Sequence, residues 1–160
     1  MKKITIIMGS QSDLETVQGA IDILKEFKVG AEVKVLSAHR TPKELASYVE
    51  SAAKKGTKIF IAAAGGAAAL AGVIAAHTTL PVIGIPIETS SLKGMDSLLS
   101  TVQMPAGIPV ASMAIGKAGA KNAALFALEI LGVSDKKISS QLKEYKKSMA
   151  DKIKRTKIRL

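Results

Sequence analysis

His39 and Arg40 stand side by side in the run Leu36-Ser37-Ala38-His39-Arg40-Thr41-Pro42-Lys43-Glu44. An imidazole can give and take protons, and a guanidinium can hold an anion through paired N–H donors. The run joins a strand expected at 32–37 to a helix expected from Pro42. Proline suits the first helical position, and Thr41 with Glu44 has the spacing of a capping box. Both side chains would then stand just ahead of a helix N-terminus, where free N–H groups and the helix dipole favour an anion. A solvated arginine and a structural histidine are the plainer alternative.

Two further turns have chemistry-bearing composition. Gly9-Ser10-Gln11-Ser12-Asp13 offers hydroxyls and N–H groups for a phosphate and a carboxylate for ribose hydroxyls. Helix capping by Ser12 or Asp13 explains the same residues. Gly65-Gly66 would let a flat ligand lie against the backbone, or would simply turn a strand into a helix. A Ser10–His39–Asp13 hydrolase triad lacks the G-x-S-x-G elbow, and neither dinucleotide nor P-loop glycine patterns occur. His77, at the end of an Ala-rich helix, reads as structural.

The elements that must position these turns follow from hydropathy. Strands are expected at 3–9, 32–37, 58–63, 82–87 and 110–115. Helices are expected at 14–27, 42–55, from Gly65-Gly66 to His77, at 95–102 and 118–131, and last from a Ser134 cap. Five β–α repeats in series predict an α/β fold, a three-layer doubly wound sheet of five parallel strands, flavodoxin-like, with an extra C-terminal helix. Ligands in such folds collect at the carboxyl ends of the strands, where strand order reverses. That places the three turns on one edge of a single catalytic domain spanning residues 1–160.

Composition narrows the function classes. Cysteine is absent, which excludes disulfides and thiolate chemistry, and two histidines give little basis for a metal site. Aromatic residues are only 3% of a chain that is 48% hydrophobic, so the core is built from Ala, Ile, Leu and Val. The net charge of +10 suggests nucleic acid until it is divided. Residues 136–160 carry 10 Lys/Arg against Glu144 and Asp151, while residues 1–135 carry 13 basic and 11 acidic side chains. A solvated helix flanking a neighbouring subunit explains the basic segment 134–160 better than RNA, because Tyr145 is its sole stacking side chain. The span from Ile59 to Ile87 has no charged residue, but its glycine pair and Pro81 mark a buried strand–helix–strand unit rather than a membrane crossing. A soluble, cytoplasmic protein is expected.

Several separated motifs now combine. Met8-Gly9-Ser10-Gln11-Ser12-Asp13, Ser37-Ala38-His39-Arg40-Thr41-Pro42, Ala64-Gly65-Gly66-Ala67-Ala68, Asp96-Ser97-Leu98 with Gln103-Met104-Pro105, and Gly116 to Ala124 resemble, in order and spacing, the 5-(carboxyamino)imidazole ribonucleotide mutase family of purine biosynthesis. The resemblance covers residues 3 to 150. It implies transfer of a carboxylate from the exocyclic amine of the substrate to ring carbon 4, with no cofactor and no metal. It implies that His39 is the general acid/base and that Ser10, Ser12, Ser37 and Arg40 hold the phosphate. Asp13 would hold the ribose, while Gly9, Ala38, Gly65, Gly66, Ala67, Ala68 and Leu70 complete the substrate site. It also implies a homo-octamer with the last helix on a neighbour, and coupling to the ATP-dependent synthetase that makes the substrate. Related carboxylases that use carbon dioxide directly tend to carry Lys after the histidine, where this chain has Arg40.

One position departs from the family pattern. The motif usually reads Gly-Gly-Ala-Ala-His-Leu, and this chain has Ala69 in place of the histidine. His77 is two helical turns away, about 12 Å, too far to substitute. Two readings stay open: a mutase with impaired turnover, or one in which His39 suffices. A non-catalytic ribonucleotide-binding protein and a nucleic-acid binder acting through the tail are the competing classes.

Overall fold

The computed structural model describes residues 2–158; Met1, and Arg159 and Leu160 of the basic tail, lie outside the described residues. In chain order the elements are β1 (Ile4–Met8), α1 (Leu14–Glu26), β2 (Ala31–Val35), α2 (Pro42–Lys54), β3 (Ile59–Ala64) and α3 (Leu70–Ala76). They continue with β4 (Val82–Pro86), α4 (Met95–Val102), β5 (Ala111–Ser112), α5 (Lys117–Gly132) and α6 (Lys136–Arg155). The five strands pair in parallel in the order β2-β1-β3-β4-β5, with Ile6 beside both Val33 and Ile61. This is the expected doubly wound sheet, and its order reverses beside β1. Two compact units are present, one running through Ala127 and the other starting at Leu128.

In the first unit, β1 and β4 are buried along their whole length and β3 nearly so, which matches their unbroken apolar sequences. Side chains alternate across the pleat. Ile7, Phe60, Ala62 and Val82 pack with Leu45, Val49 and Ala52 of α2 and with Leu70, Ala71 and Ile74 of α3. On the other face, buried Val17, Ala20 and Leu24 of α1 and Ala120, Ala123 and Ala124 of α5 cover the sheet. The Lys121 stem lies over Gly19, so α1 and α5 touch. Each fully buried Ile or Leu here contributes about 1.5–3 kcal/mol relative to leaving it exposed.

Three boundaries and one helix cap differ from the sequence expectation. The backbone leaves β2 after Val35. Leu36 still donates its N–H to the Met8 carbonyl, but the Ser37 N–H goes to the Thr41 hydroxyl instead of a strand. Thr41 holds the N-cap position of α2, but its side chain does not cap the helix. Its hydroxyl accepts from Ser37 N at 2.9 Å and donates to Ser37 O at 3.1 Å, so the Thr41–Glu44 capping box does not form. Helix α3 begins at Leu70 rather than at the glycine pair, because residues 66–69 curl through short hydrogen bonds from Ala68 N to Gly66 O and from Ala69 N to Ala67 O. Strand β5, an edge strand following Pro109, pairs only over Ala111 and Ser112.

The second unit holds the end of α5 and all of α6. Asp135, not Ser134, caps α6, its carboxylate accepting from the N–H groups of Lys137 and Ile138. Ile138 and Leu142 are buried, and Lys146 pairs with Glu129 at 2.8 Å. Among the described residues no helix is long and apolar enough to cross a membrane.

Gly119 allows α5 to enter against the preceding chain, since a Cβ there would collide with the backbone carbonyl of Ala114. The obstacle is main chain and cannot rotate aside. Gly119→Ala is expected to destabilise the protein by about 3 kcal/mol, read as a lower denaturant midpoint with an unchanged slope.

Candidate functional site

The turns after β1, β2 and β3 meet over the carboxyl ends of the strands and enclose a cavity of about 420 Å³. Gly9, Ser10, Asp13, Ser37, Ala38, His39, Arg40, Gly65, Ala67, Ala69 and Leu70 all line it, and Ala64 joins them. Three of the residues singled out from sequence stand just behind the wall. Ser12 meets the cavity through Ser10 and Asp13, Gly66 forms the apex of its turn with φ +68°, and Ala68 is buried beneath it. A larger hollow of about 740 Å³ surrounds Glu50, Lys54 and His77. It contains none of the converging turn residues, and His77 there ends α3 and faces Glu50 at 3.3 Å, in keeping with a structural role.

The polar half of the cavity is cross-braced. Ser10 caps the short turn Gln11–Asp13, which corrects the expectation that Ser12 or Asp13 is the cap. Its hydroxyl accepts from Ser12 N at 3.3 Å and from the Ser12 hydroxyl at 2.9 Å, while Ser10 N donates to the Asp13 carboxylate at 3.1 Å. Arg40 ties this turn to the next. Its Nη2 donates to Gly9 O at 3.1 Å, and its Nε and backbone N–H approach the Ser37 hydroxyl at 3.5 and 3.2 Å. Guanidinium and two serine turns thus share one rim, an arrangement able to hold a phosphate. His39 projects beside them, exposed at the cavity mouth.

The opposite half is apolar. Ala64, Gly65, Ala67, Ala69 and Leu70 form a wall of small groups with no side-chain polar atom. Ala69 faces the cavity, so a larger side chain at that position would project toward the same space as His39. Ala64, which the sequence motif includes but the expected site residues do not, ends β3 and lines the cavity as well. The sequence reading left Ser97 and Ser100 without a role, although α4 braces the turn from behind. Among the described residues no three His, Cys, Asp or Glu side chains gather as a metal site.

Residues 3–152 match the family model described as AIR carboxylase. The chain belongs to that family. It is 48% identical over 158 residues to a Saccharolobus solfataricus protein named N5-carboxyaminoimidazole ribonucleotide mutase, covering 99% of both chains. Two proteins with the same name are 57% identical over 139 residues, from Bacillus subtilis, and 54% identical over 149 residues, from Pyrococcus abyssi. These alignments cover 87% and 93% of this chain and 86% and 84% of the relatives. Among solved structures, Treponema denticola PurE superposes with a TM-score of 0.85 at 32% identity, covering 94% of this chain and 92% of its own.

Within the cavity, Asp13 is electrostatically costly. Burial raises its carboxyl above the ordinary value, and the Ser10 N–H, the Ser12 hydroxyl and the Arg40 charge oppose that shift without cancelling it. A carboxyl whose pKa is raised by folding favours the folded state while protonated, and this contribution is lost as pH rises through the raised value. At neutral pH the buried charge therefore opposes folding. Asp13→Asn is expected to raise Tm at pH 7, and the gain should shrink as pH falls toward the ordinary carboxyl value of 3.8. A gain independent of pH would show that desolvation of this carboxylate is not the cause.

Proposed function

We propose that this protein is an N5-carboxyaminoimidazole ribonucleotide mutase of purine biosynthesis, an isomerase that moves a carboxylate from the exocyclic amine to ring carbon 4. The observation that carries the reading is one cavity with a phosphate-holding rim, an imidazole at its mouth and an apolar wall opposite. Ser10, Ser12, Ser37 and Arg40 take the substrate phosphate, and Asp13 accepts from the ribose. Gly9, Ala38, Gly65, Gly66, Ala67, Ala68 and Leu70 shape the pocket around the ring.

The chemistry assigned to these residues balances without an external reagent or cofactor. Cleavage of the N–C bond of the carbamate releases carbon dioxide and leaves the electron pair with the amine nitrogen, which takes a proton from His39. Ring carbon 4 then attacks the retained carbon dioxide, forming a C–C bond. His39, now neutral, removes the proton from carbon 4 as aromaticity returns. One proton is given and one recovered. Such transfers are worth about 10²–10⁴-fold. The apolar wall keeps water from the carbon dioxide, which would otherwise hydrate or escape.

The protein acts in this reading as a cytoplasmic homo-octamer, supplied by the ATP-dependent synthetase that makes the substrate. Exposed Met95, Leu99 and Val102 on α4, and exposed Met149 and Ile153 on α6, support burial between copies. The basic helix and tail from residue 134 would pack on a neighbouring subunit rather than bind nucleic acid.

A ribonucleotide-binding protein without turnover is favoured by one observation, the alanine at position 69 on the cavity wall. Direct carboxylation of the aminoimidazole by carbon dioxide is the remaining alternative. Incubating the protein and its Ala69→His and His39→Asn forms with the carbamate substrate, and following ring carboxylate, separates them. The mutase reading expects turnover by the unaltered protein and a loss of about 10²–10⁴-fold in kcat for His39→Asn, with substrate affinity retained. Turnover only in the Ala69→His form would identify a binder that lost its chemistry. Product formed only from aminoimidazole ribonucleotide and carbon dioxide would establish the carboxylase.

A further inference from the structure

Ser97 lies on α4, fully buried at 0% exposure, and no residue of α4 lines the cavity. Its hydroxyl donates to the Ile87 carbonyl at 2.7 Å and accepts from the Gly66 N–H at 3.0 Å. Ile87 follows β4 directly, and its own N–H donates to the Ala64 carbonyl at 2.9 Å. One hydroxyl therefore clasps the apex of the Gly65–Ala69 turn to the end of the sheet. The carbonyl of the same residue, Gly66, is held as well. Ser100, whose hydroxyl donates to Asp96 O at 2.8 Å, stands 3.3 Å from Gly66 O. Within α4 the Thr101 hydroxyl donates to Ser97 O at 2.7 Å.

This arrangement needs more than bulk. The atom at position 97 must donate and accept at once, and a methyl group would leave both Gly66 N–H and Ile87 C=O without that partner at a partly buried position. Gly66 is at φ +68°, in a conformation that a free turn would readily leave. The turn so held carries Gly65, Ala67 and Ala69, which form much of the apolar wall.

We propose that Ser97 is a positioning residue for the carboxylate transfer, its buried hydroxyl fixing the Gly65–Ala69 wall so that carbon dioxide released in the pocket is recaptured by the ring. This rests on the mutase reading with a free carbon dioxide intermediate. Ser97 touches no substrate and acts through Gly66. Its loss changes where the carbon dioxide goes: the same N–C bond breaks and the amine is protonated as before, but no C–C bond follows, leaving aminoimidazole ribonucleotide and free carbon dioxide.

The experiment compares the unaltered protein with Ser97→Ala and Ser97→Thr on the carbamate substrate. It measures ring-carboxylated product and aminoimidazole ribonucleotide together, after subtracting enzyme-free decay. The unaltered protein should give mainly ring carboxylate. Ser97→Ala should raise the ratio of decarboxylated to ring-carboxylated product about tenfold, with KM changed far less because Ser10, Ser37 and Arg40 are untouched. Ser97→Thr, which restores the hydroxyl, should bring the ratio back toward that of the unaltered protein. A purely structural role would lower Tm and the active fraction and leave the ratio alone, and that result would overturn the proposal. Should Ser97→Ala fail to fold, Gly66→Ala loosens the same turn from the other side. No atom lies within 4 Å of its new Cβ, so only backbone strain is added, and the same rise in ratio is expected. An unchanged ratio there would likewise overturn it. If the unaltered protein makes no ring carboxylate, the mutase reading fails first and this proposal with it.

Discussion

The sheet grows outward in two directions from β1, with β2 on one side and β3 on the other. Parallel strands need crossovers, and crossovers leaving in opposite directions open a crevice above the strand where they part. The turns that follow β1, β2 and β3 end at this crevice because chain topology gives them nowhere else to go. Arg40 then closes the gap between the first two, reaching from the second turn to Gly9 O in the first. Without that reversal of strand order, the residues would be three unrelated loops.

The cavity divides its labour by polarity. Its rim is rich in donors that are already engaged with one another: Ser12 with Ser10, and Arg40 with Ser37 and Gly9. An incoming phosphate exchanges these bonds for charge-assisted ones, so its binding free energy is a difference between two sets of contacts rather than the sum of the new one. The rim is thereby ordered before any ligand arrives. The wall of Ala and Gly offers nothing to exchange. Its contribution is the exclusion of water, and it depends on where the backbone lies.

Much of this was legible from the residues alone. Apolar runs such as those expected at 58–63 and 82–87 announced buried parallel strands, and the three strand-end turns announced their common edge. Motifs at 8–13, 37–42 and 64–68 named the family. What escaped was decided by hydroxyl groups choosing among partners. Thr41 has the type and spacing of a cap, yet its hydroxyl turns back to Ser37, because the chain must reverse sharply after Leu36. Gly65-Gly66 looks like the start of a helix, yet Ser97, thirty-one residues later in sequence, holds Gly66 out of it. Asp135 outcompetes Ser134 as a cap by one position. Local pattern carries period and polarity; it does not carry the address of a distant hydroxyl.

Helix α4 has two faces with different obligations. Ser97 and Thr101 point inward and are buried, while Met95, Leu99 and Val102 on the other side are about half exposed, at 52%, 49% and 48%. Anything seated on the outer face restrains the helix that carries the inner clasp. Free energy gained by docking there is therefore shared with the order of the Gly65–Ala69 turn, and by linkage a ligand that orders the turn strengthens the docking by the same factor. An eight-residue helix would in that way act as a lever between the outside of the subunit and the wall of its cavity.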